Sequence, residues 1–318
     1  AASGALEPLV AAARGRPRPR RTGMMPAMDW LLLALACALS LATADALTKR
    51  HLSDYAAAEL VVVRFSVSGL ILAPWLLLEP LPPVPPVFWA WVGALIPLEI
   101  LAMTLYMRAI RESPLSLTLP YLALTPVLVT LTGYAVLGES VSALGVLGVV
   151  LVVAGAWLLN LDHALRGGPG AWLAPFRAVL HEPGSRLMVA VAALYSLTSV
   201  MGKGAMQYAT PTSFGAFYFV VLGVATLVVF RVSGRVRLPV LWRRPRAHLM
   251  VAAMMAVMII THFLALERVE VAYMIAVKRT SLLFGIAFGG LWFAEERIRQ
   301  RLAAGAMMLA GVAVIAFA

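Results

Sequence analysis

Two adjacent basic residues, Lys278 and Arg279, interrupt a long apolar stretch that otherwise suits the interior of a lipid bilayer. The stretch runs VAYMIAVKRTSLLFGIAFGGLWFAEE over residues 271–296. At a rise of 1.5 Å per residue, Lys278 lies about 10 Å along a helix from residue 271. Charges at that depth are costly unless they face a cavity, a partner or an anion. The competing interpretation is that both long stems reach the nearer membrane surface. Because neighbouring helical residues point about 100° apart, we expect at least one cation to face protein.

Other basic and hydroxyl side chains inside apolar segments are candidates for the same cavity. Bases in these segments outnumber acids, which favours an anionic or carboxylate-bearing substrate. These bases are Arg64, Lys203, Lys278 and Arg279. The predicted substrate-binding residues are Lys278, Arg279, Arg64, Tyr106, Tyr121 and Ser281. Tyrosine hydroxyls also bond neighbouring helices to one another, and this structural role is the competing interpretation for the two tyrosines.

Glu99 and His262 are the two candidates for proton coupling. Glu99 lies mid-segment, shortly after Pro97, and proline bends a helix and frees a backbone carbonyl. An intramembrane carboxylate carries protons or serves as the counter-ion of a base such as Lys278 or Lys203. His262 carries a side chain that ordinarily titrates near neutral pH. The competing interpretations are a structural ion pair for Glu99 and a hydrogen-bonded core residue for His262.

The composition excludes several classes of protein. Hydrophobic residues make up 62% of the 318 residues and charged residues only 13%, unlike a soluble globular domain. The net charge is +11, but the basic residues lie between apolar segments, so we predict no nucleic-acid partner. Cys37 is the single cysteine, which excludes a disulfide framework and a cysteine metal site. Phosphate-binding loops, HExxH and GxSxG motifs are absent, so we predict neither enzymatic activity nor a cofactor or metal.

The apolar segments predict an all-α integral membrane protein with ten transmembrane helices. We place these at about 29–48, 58–78, 87–108, 114–137, 141–160, 186–207, 212–231, 248–266, 270–293 and 301–318. The predicted units are a disordered basic tail (1–28), a five-helix unit (29–160), a connecting loop (161–185) and a second five-helix unit (186–318). A rival interpretation joins Arg20 and Arg21 to the first apolar segment as a cleavable signal peptide.

The two predicted halves repeat in the sequence. One nearly constant offset aligns Ala109 with Ala265, Gly133 with Gly289, Glu139 with Glu295 and Gly155 with Gly311. A slightly smaller offset aligns Lys49 with Lys203 and Gly69 with Gly223. Because five is an odd number, two consecutive five-helix halves insert with opposite orientation. Such inverted repeats are typical of secondary transporters, whose substrate site lies near the membrane midplane between the halves.

Residues 108–140, RAIRESPLSLTLPYLALTPVLVTLTGYAVLGES, resemble a unit of the EamA type. The same pattern includes Pro126, Glu139, Gly148 and Gly155, the later Ala294-Glu295-Glu296, and the early Arg64-Phe65. On these residues the chain looks like a member of the drug/metabolite transporter superfamily over about 29–318. The resemblance implies a ten-helix carrier that exports or exchanges small metabolites and has no ATP site.

The tripeptide Val277-Lys278-Arg279 is similar to the Val-Lys-Arg of the ninth helix in plastid triose-phosphate translocators. In those proteins the two cations bind the substrate phosphate, and the resemblance extends this role to Lys278 and Arg279 alone. The translocators carry a further lysine in the fourth helix, where this sequence has Leu122. The repeat aligns Leu122 with Lys278, so one of two pseudo-symmetric lysines is absent, and phosphate specificity is not established.

The sequence thus predicts a multi-pass secondary transporter of a bacterial-type plasma (inner) membrane, whose partners are a small-molecule substrate and the lipid bilayer. Two alternatives stay open: a flippase for a lipid-linked phosphate head group, and a non-transporting membrane assembly or sensor protein. The glycine-rich last span, with Gly305 and Gly311, offers a face for a homodimer. Orientation is also open, because the basic residues favour both termini outside whereas the resemblance implies cytoplasmic termini.

Overall fold

The structure is a computed structural model that describes residues 27–112, 119–161, 183–293 and 298–318, and every secondary-structure element in these ranges is helical. The α-helices are α1 (Ala27–His51), α2 (Ala57–Val62), α3 (Ser68–Leu72), α4 (Trp75–Leu78), α5 (Pro86–Glu112), α6 (Thr125–Leu137), α7 (Ala143–Leu161), α8 (Pro183–Met206), α9 (Pro211–Val232), α10 (Pro245–Arg268), α11 (Val271–Lys278), α12 (Ser281–Phe293) and α13 (Ile298–Ala316). A π-helical turn (Val63–Val67) joins α2 to α3, and 3₁₀ segments (Leu119–Leu124, Leu238–Trp242) precede α6 and α10. Nearly all of the predicted tail, most of the connecting loop and Glu295-Glu296 lie outside the described residues.

Local sequence sets the ends of the long helices. Proline opens α5, α8, α9 and α10, at a position where its missing N–H costs no hydrogen bond. α6 ends at Gly138, whose φ of 68° is the left-handed conformation that favours glycine. Six segments are long and apolar enough to cross a membrane, and they lie in α1, α2–α4, α5, α8, α9 and α10. The all-helical membrane class is confirmed for the described residues, whereas the count of ten spans stays a prediction.

The sequence analysis assumed one continuous helix through Lys278 and Arg279. In the structure this helix is interrupted. The backbone leaves the helix at Arg279 and Thr280, between α11 and α12. In the described part of the predicted span 114–137, a 3₁₀ segment likewise precedes the α-helix that begins at Thr125. The assumption was wrong because apolar composition measures the length of a membrane-spanning stretch and not its backbone path.

Helix boundaries recur between the two halves of the chain. α6 begins at 125 and α12 begins at 281, which is an offset of 156 residues. The run from α2 to α4 spans 57–78 and α9 spans 211–232, so one offset of 154 residues relates both ends. This recurrence follows the offsets by which the sequence analysis aligned the two halves.

Helices of the first and second halves pack against each other reciprocally. α1 packs on α10, and α8 packs on α5. The first long helix of each half therefore contacts the third long helix of the other half. α7 and α13, the last helix of each half, also pack together. One large cluster of buried apolar side chains, including Phe65, Trp91 and Phe214, joins the two halves.

Two glycines permit a close backbone crossing between α9 and the segment formed by the π-helical turn and α3. A Cβ atom added to Gly69 would lie 2.5 Å from the carbonyl oxygen of Phe219. A Cβ atom added to Gly223 would lie 2.7 Å from the carbonyl oxygen of Phe65. Ser66 Oγ donates to the Gly223 carbonyl oxygen at 2.9 Å. Small residues therefore let these helices approach until their backbones touch.

The glycines of the last span are used inside the chain. A Cβ atom on Gly311 would lie 2.7 Å from both the Gly148 carbonyl oxygen and the Val152 backbone nitrogen of α7. A Cβ atom on Gly305 would lie 3.3 Å from the Leu283 side chain of α12. The homodimer stays a prediction, and it would need a surface other than these two glycines.

Candidate substrate site

The break between α11 and α12 positions the two adjacent cations. Lys278 is the last residue of α11, and Arg279 follows as the C-terminal cap. The Arg279 backbone N–H donates to the carbonyl oxygen of Ala276 at 3.1 Å. The Thr280 hydroxyl, on a residue that is almost fully buried, donates to the Val277 carbonyl oxygen at 2.8 Å. Because the carboxyl end of a helix carries partial negative charge, this point of the backbone favours cations.

The start of α11 is held by what we call the Glu139–Lys203 junction, formed by Glu139, Lys203, Val269 and Val271. Lys203 Nζ lies 2.5 Å from Glu139 Oε1 and donates to the Val269 carbonyl oxygen at 2.5 Å. Glu139 Oε2 accepts the Val271 backbone N–H at 2.9 Å. Residues 271–277 are all buried, so α11 lies in the protein core. The junction therefore fixes the helix that carries the cations.

Lys278 lies at a centre where several helices converge. It is within electrostatic range of Glu99 on α5, His262 on α10 and Cys37 on α1. Thr198 of α8 lies beside the Glu99 carboxyl group. Lys278 forms no salt bridge with any residue that the structure describes. Its ammonium group therefore shares a polar centre with one carboxyl group without being paired to it.

Arg279 has a different set of neighbours. Tyr106 of α5 and Tyr195 of α8 lie within electrostatic range of its guanidinium group. Its Nε is buried and has no hydrogen-bond partner in the described ranges. A buried polar group without a partner is costly, and a guanidinium binds carboxylate or phosphate oxygens with two parallel hydrogen bonds. Arg279 therefore retains hydrogen-bonding capacity that suits an oxyanion.

Arg64 borders the same centre but is neutralised within the protein. It lies on the π-helical turn and is 4% exposed. It forms an ion pair with Asp45 of α1, and Nη2 donates to Thr48 Oγ1 at 3.3 Å. Tyr106 and Tyr195, the two tyrosines beside the unpaired guanidinium, are also within electrostatic range of Arg64. This pairing neutralises the charge of Arg64, but its Nε, like that of Arg279, is buried without a hydrogen-bond partner in the described ranges, and its contact with a substrate stays a prediction.

The structure thus brings most of the predicted site residues together. We name as the central site the set Glu99, Tyr106, Tyr195, His262, Lys278 and Arg279. Ser281 opens α12 directly after the break and is partly exposed. In the described ranges, no group of three or more His, Cys, Asp or Glu side chains could hold a metal ion.

Tyr121 neighbours the central site, because Tyr106 and Tyr195 pack against the apolar cluster that contains it. It is buried in a second, smaller apolar cluster with Leu122 and Met188. Its ring meets that of Trp157 edge to face, with centroids 5.8 Å apart. In this environment Tyr121 packs between helices, which is the structural role that the sequence left as the competing interpretation for this tyrosine.

Sequence reasoning missed Tyr218, a buried residue of α9. Its hydroxyl has no hydrogen-bond partner among the described residues and lies within electrostatic range of Glu99 and Tyr195. Its ring stacks on Phe214, with centroids 5.8 Å apart. The available signal was one hydroxyl within the otherwise apolar FGAFYFVV. His262 Nδ1 is likewise buried without a described partner.

Comparison with protein-family models gives the first independent indication of function. The model of the EamA-like transporter family matches residues 28–161, which span nearly all of α1 to α7. This part of the chain is EamA-like. The predicted resemblance is thereby confirmed over residues 28–161. The EamA-like part carries Arg64, Glu99 and Tyr106, whereas Lys278 and Arg279 lie beyond it.

Solved structures share the fold of most of the chain. One of them, described as the crystal structure of a protein, has a TM-score of 0.69 and 16% sequence identity. The likeness covers 90% of this chain and 96% of that one. At this identity it shows the fold alone. No curated protein matches this chain.

Proposed function

We propose that the protein is a secondary active transporter that moves a small anionic or carboxylate-bearing metabolite across a bacterial-type plasma membrane. In this proposal, two inverted five-helix halves alternate in opening the central site to either side. The recurring helix boundaries and the reciprocal packing of α1 on α10 and of α8 on α5 support the two-half organisation. The ten spans are then α1, α2–α4, α5, α6, α7, α8, α9, α10, α11–α12 and α13.

The single observation that carries the proposal is the unpaired state of Lys278 and Arg279. Both lie at the end of α11, whose residues 271–277 are buried, and neither has a salt bridge within the described part of the chain. Cations inside a membrane protein are expensive and are kept where they serve a pathway or a ligand. An oxyanion would supply the missing counter-charge and the missing hydrogen-bond acceptors.

The two cations have separate roles in this proposal. Arg279, flanked by Tyr106 and Tyr195, binds the anionic group of the substrate through its unused donors. Lys278 lies near both Glu99 and His262. When Glu99 is ionised, it competes with the substrate anion for Lys278, and a proton on Glu99 removes that competition. This exchange couples substrate binding to protons, because binding is favoured when the carboxyl group is neutral.

The test is a thermal-shift screen of the purified chain and of K278A/R279A against a panel of ligands. The panel holds carboxylates, phosphorylated metabolites, amino acids and cationic drugs. A ligand that binds only the folded state raises the melting temperature. We expect one anionic class to stabilise the wild type and to have no effect on the double variant.

A matched control is R268Q, which removes an exposed arginine at the C-terminal end of α10. This variant should keep the ligand response. Stabilisation by cations alone, unchanged in K278A/R279A, would contradict the anion site and move the binding group to Glu99. Uptake of the stabilising ligand by proteoliposomes then distinguishes a transporter from a membrane protein that only binds the ligand.

A further inference from the structure

A second basic region lies at one end of the bundle, between α9 and α10. Six arginines are exposed there: Arg231, Arg235, Arg237, Arg243, Arg244 and Arg246. Asp54 pairs with two of them, Arg243 and Arg244, at 2.9 Å each. The other four arginines have no carboxylate within salt-bridge distance among the described residues. This end of the protein therefore presents a strong excess of positive charge.

The segment that carries these arginines has a defined backbone anchored to the core. Val236 and Val240 are buried, and exposed Arg235 precedes Val236 directly. The backbone N–H groups of Arg235 and Val236 both donate to the Phe230 carbonyl oxygen, at 3.0 and 3.1 Å. Gly234, with φ of 70°, makes the turn that leads out of α9. These contacts hold the backbone of the arginine-bearing segment in place.

Three of the arginines line one pocket of about 430 Å³: Arg235, Arg237 and Arg243. Glu59, whose Oε2 accepts the Ala56 backbone N–H, is the one acidic residue of the described lining, so the pocket keeps a net positive charge. Trp242 also lines it and is 78% exposed. The neighbouring Leu238 is 48% exposed. Cations beside exposed tryptophan and leucine, at the level where two membrane-crossing helices end, match the composition of a lipid head-group region.

We propose that this arginine pocket, formed by Arg235, Arg237, Trp242 and Arg243, binds the phosphate head group of an anionic phospholipid. Guanidinium groups bind phosphate oxygens bidentately, and tryptophan settles at the membrane–water interface. The pocket lies next to the start of α10 at Pro245, about 25 Å along that helix from His262 of the central site, and is therefore separate from the proposed transport function. The proposal places this end of the bundle at the leaflet that holds anionic lipid. This placement agrees with the orientation that the basic residues favour, in which both termini lie outside.

The test uses the full chain, purified in an uncharged detergent and titrated with phosphatidylglycerol while its melting temperature is followed. Phosphatidylcholine and inorganic phosphate form separate arms. We expect phosphatidylglycerol alone to stabilise the wild type. In R235Q/R237Q, the apparent dissociation constant should rise about thirtyfold, given the usual contribution of two arginines at an anionic membrane surface. R268Q is the control and should respond like the wild type.

A second variant, R235K/R237K, keeps the charge and should keep most of the stabilisation, which separates loss of binding from loss of folding. Stabilisation that persists in R235Q/R237Q would overturn the proposal, because the lipid would then bind elsewhere. An equal effect of phosphatidylcholine would overturn the charge-based recognition. An equal effect of inorganic phosphate would identify a free anion, and not a lipid, as the occupant.

Discussion

The Glu139–Lys203 junction and the central site both place lysines inside the bundle, but they treat the charge in opposite ways. Lys203 has a carboxylate oxygen and a carbonyl oxygen at 2.5 Å. Lys278 has Glu99 in electrostatic range and no salt bridge in the described part of the protein. A fully bonded buried pair holds helices in register, whereas an unpaired cation lowers stability unless a ligand compensates it. The comparison separates a structural lysine from a functional one.

Arg64 stands between these two cases. Its guanidinium is buried and paired with Asp45, but the carboxylate side chain is 46% exposed. This pair is therefore partly screened by solvent, unlike the pair at the junction, whose side chains are 15% and 16% exposed. Substitutions at the central site, at the Glu139–Lys203 junction and at the Asp45–Arg64 pair should therefore differ both in the property they change and in the size of that change.

The largest effect is expected from K278M/R279M at the central site. Transport should fall about a thousandfold, because two unpaired cations that bind the substrate anion are removed. The melting temperature should stay equal to that of the wild type or rise, because no carboxylate loses a salt-bridge partner. Proteoliposome uptake and thermal unfolding measure the two quantities. A large drop in melting temperature would show that these cations are structural after all.

At the junction, we expect K203M to destabilise the fold by about 3 kcal/mol, because Glu139 is left charged and buried. The double variant K203M/E139Q should recover part of this loss, since it removes the orphaned charge. Denaturant unfolding in detergent gives the free energies. If K203M alone were as stable as the wild type, the junction would not fix α11, and the contrast with Lys278 would disappear.

A smaller effect is expected from D45N, which leaves Arg64 without its carboxylate. The Arg64 guanidinium left behind is 4% exposed, but the asparagine oxygen still accepts its hydrogen bond and water reaches the half-exposed position. We therefore expect a loss of about 1 to 2 kcal/mol, less than at the junction. The control is D54N, whose carboxylate pairs with arginines at the surface and should matter still less. A loss in D45N equal to that of K203M would mean that solvent does not screen this pair.

The smallest effect concerns Glu79, a carboxylate outside the apolar spans. Hydrogen bonds from Thr210, Thr212 and Trp75 lower the pKa of Glu79 below its ordinary value of 4.5. A lowered carboxyl pKa stabilises the fold above the ordinary value, and this contribution is lost as the pH falls through the lowered one. Between pH 6 and pH 3 the melting temperature of the wild type should therefore fall about 1 °C more than that of E79Q. Parallel pH profiles would contradict this role.

The sequence identified most members of the central site because charges are rare in apolar segments. Lys278, Arg279, Glu99 and His262 were each found by that rule, and the structure places them near one another. Their roles in binding and coupling stay predictions. Tyr121 passed the same test of type and position, but a tyrosine hydroxyl in a span does not reveal which side of its helix faces the cavity.

By itself, the sequence determined an all-helical membrane protein with an EamA-like first half. Apolar length and composition are local properties, and helices satisfy their own backbone hydrogen bonds in lipid. Only the tertiary structure decided which cations are neutralised. Asp45 reaches Arg64 from another helix, and Glu139 reaches Lys203 from the other half of the chain. Such pairing depends on helix packing across the fold, and no local pattern around Lys278 and Arg279 shows that they were left without a partner.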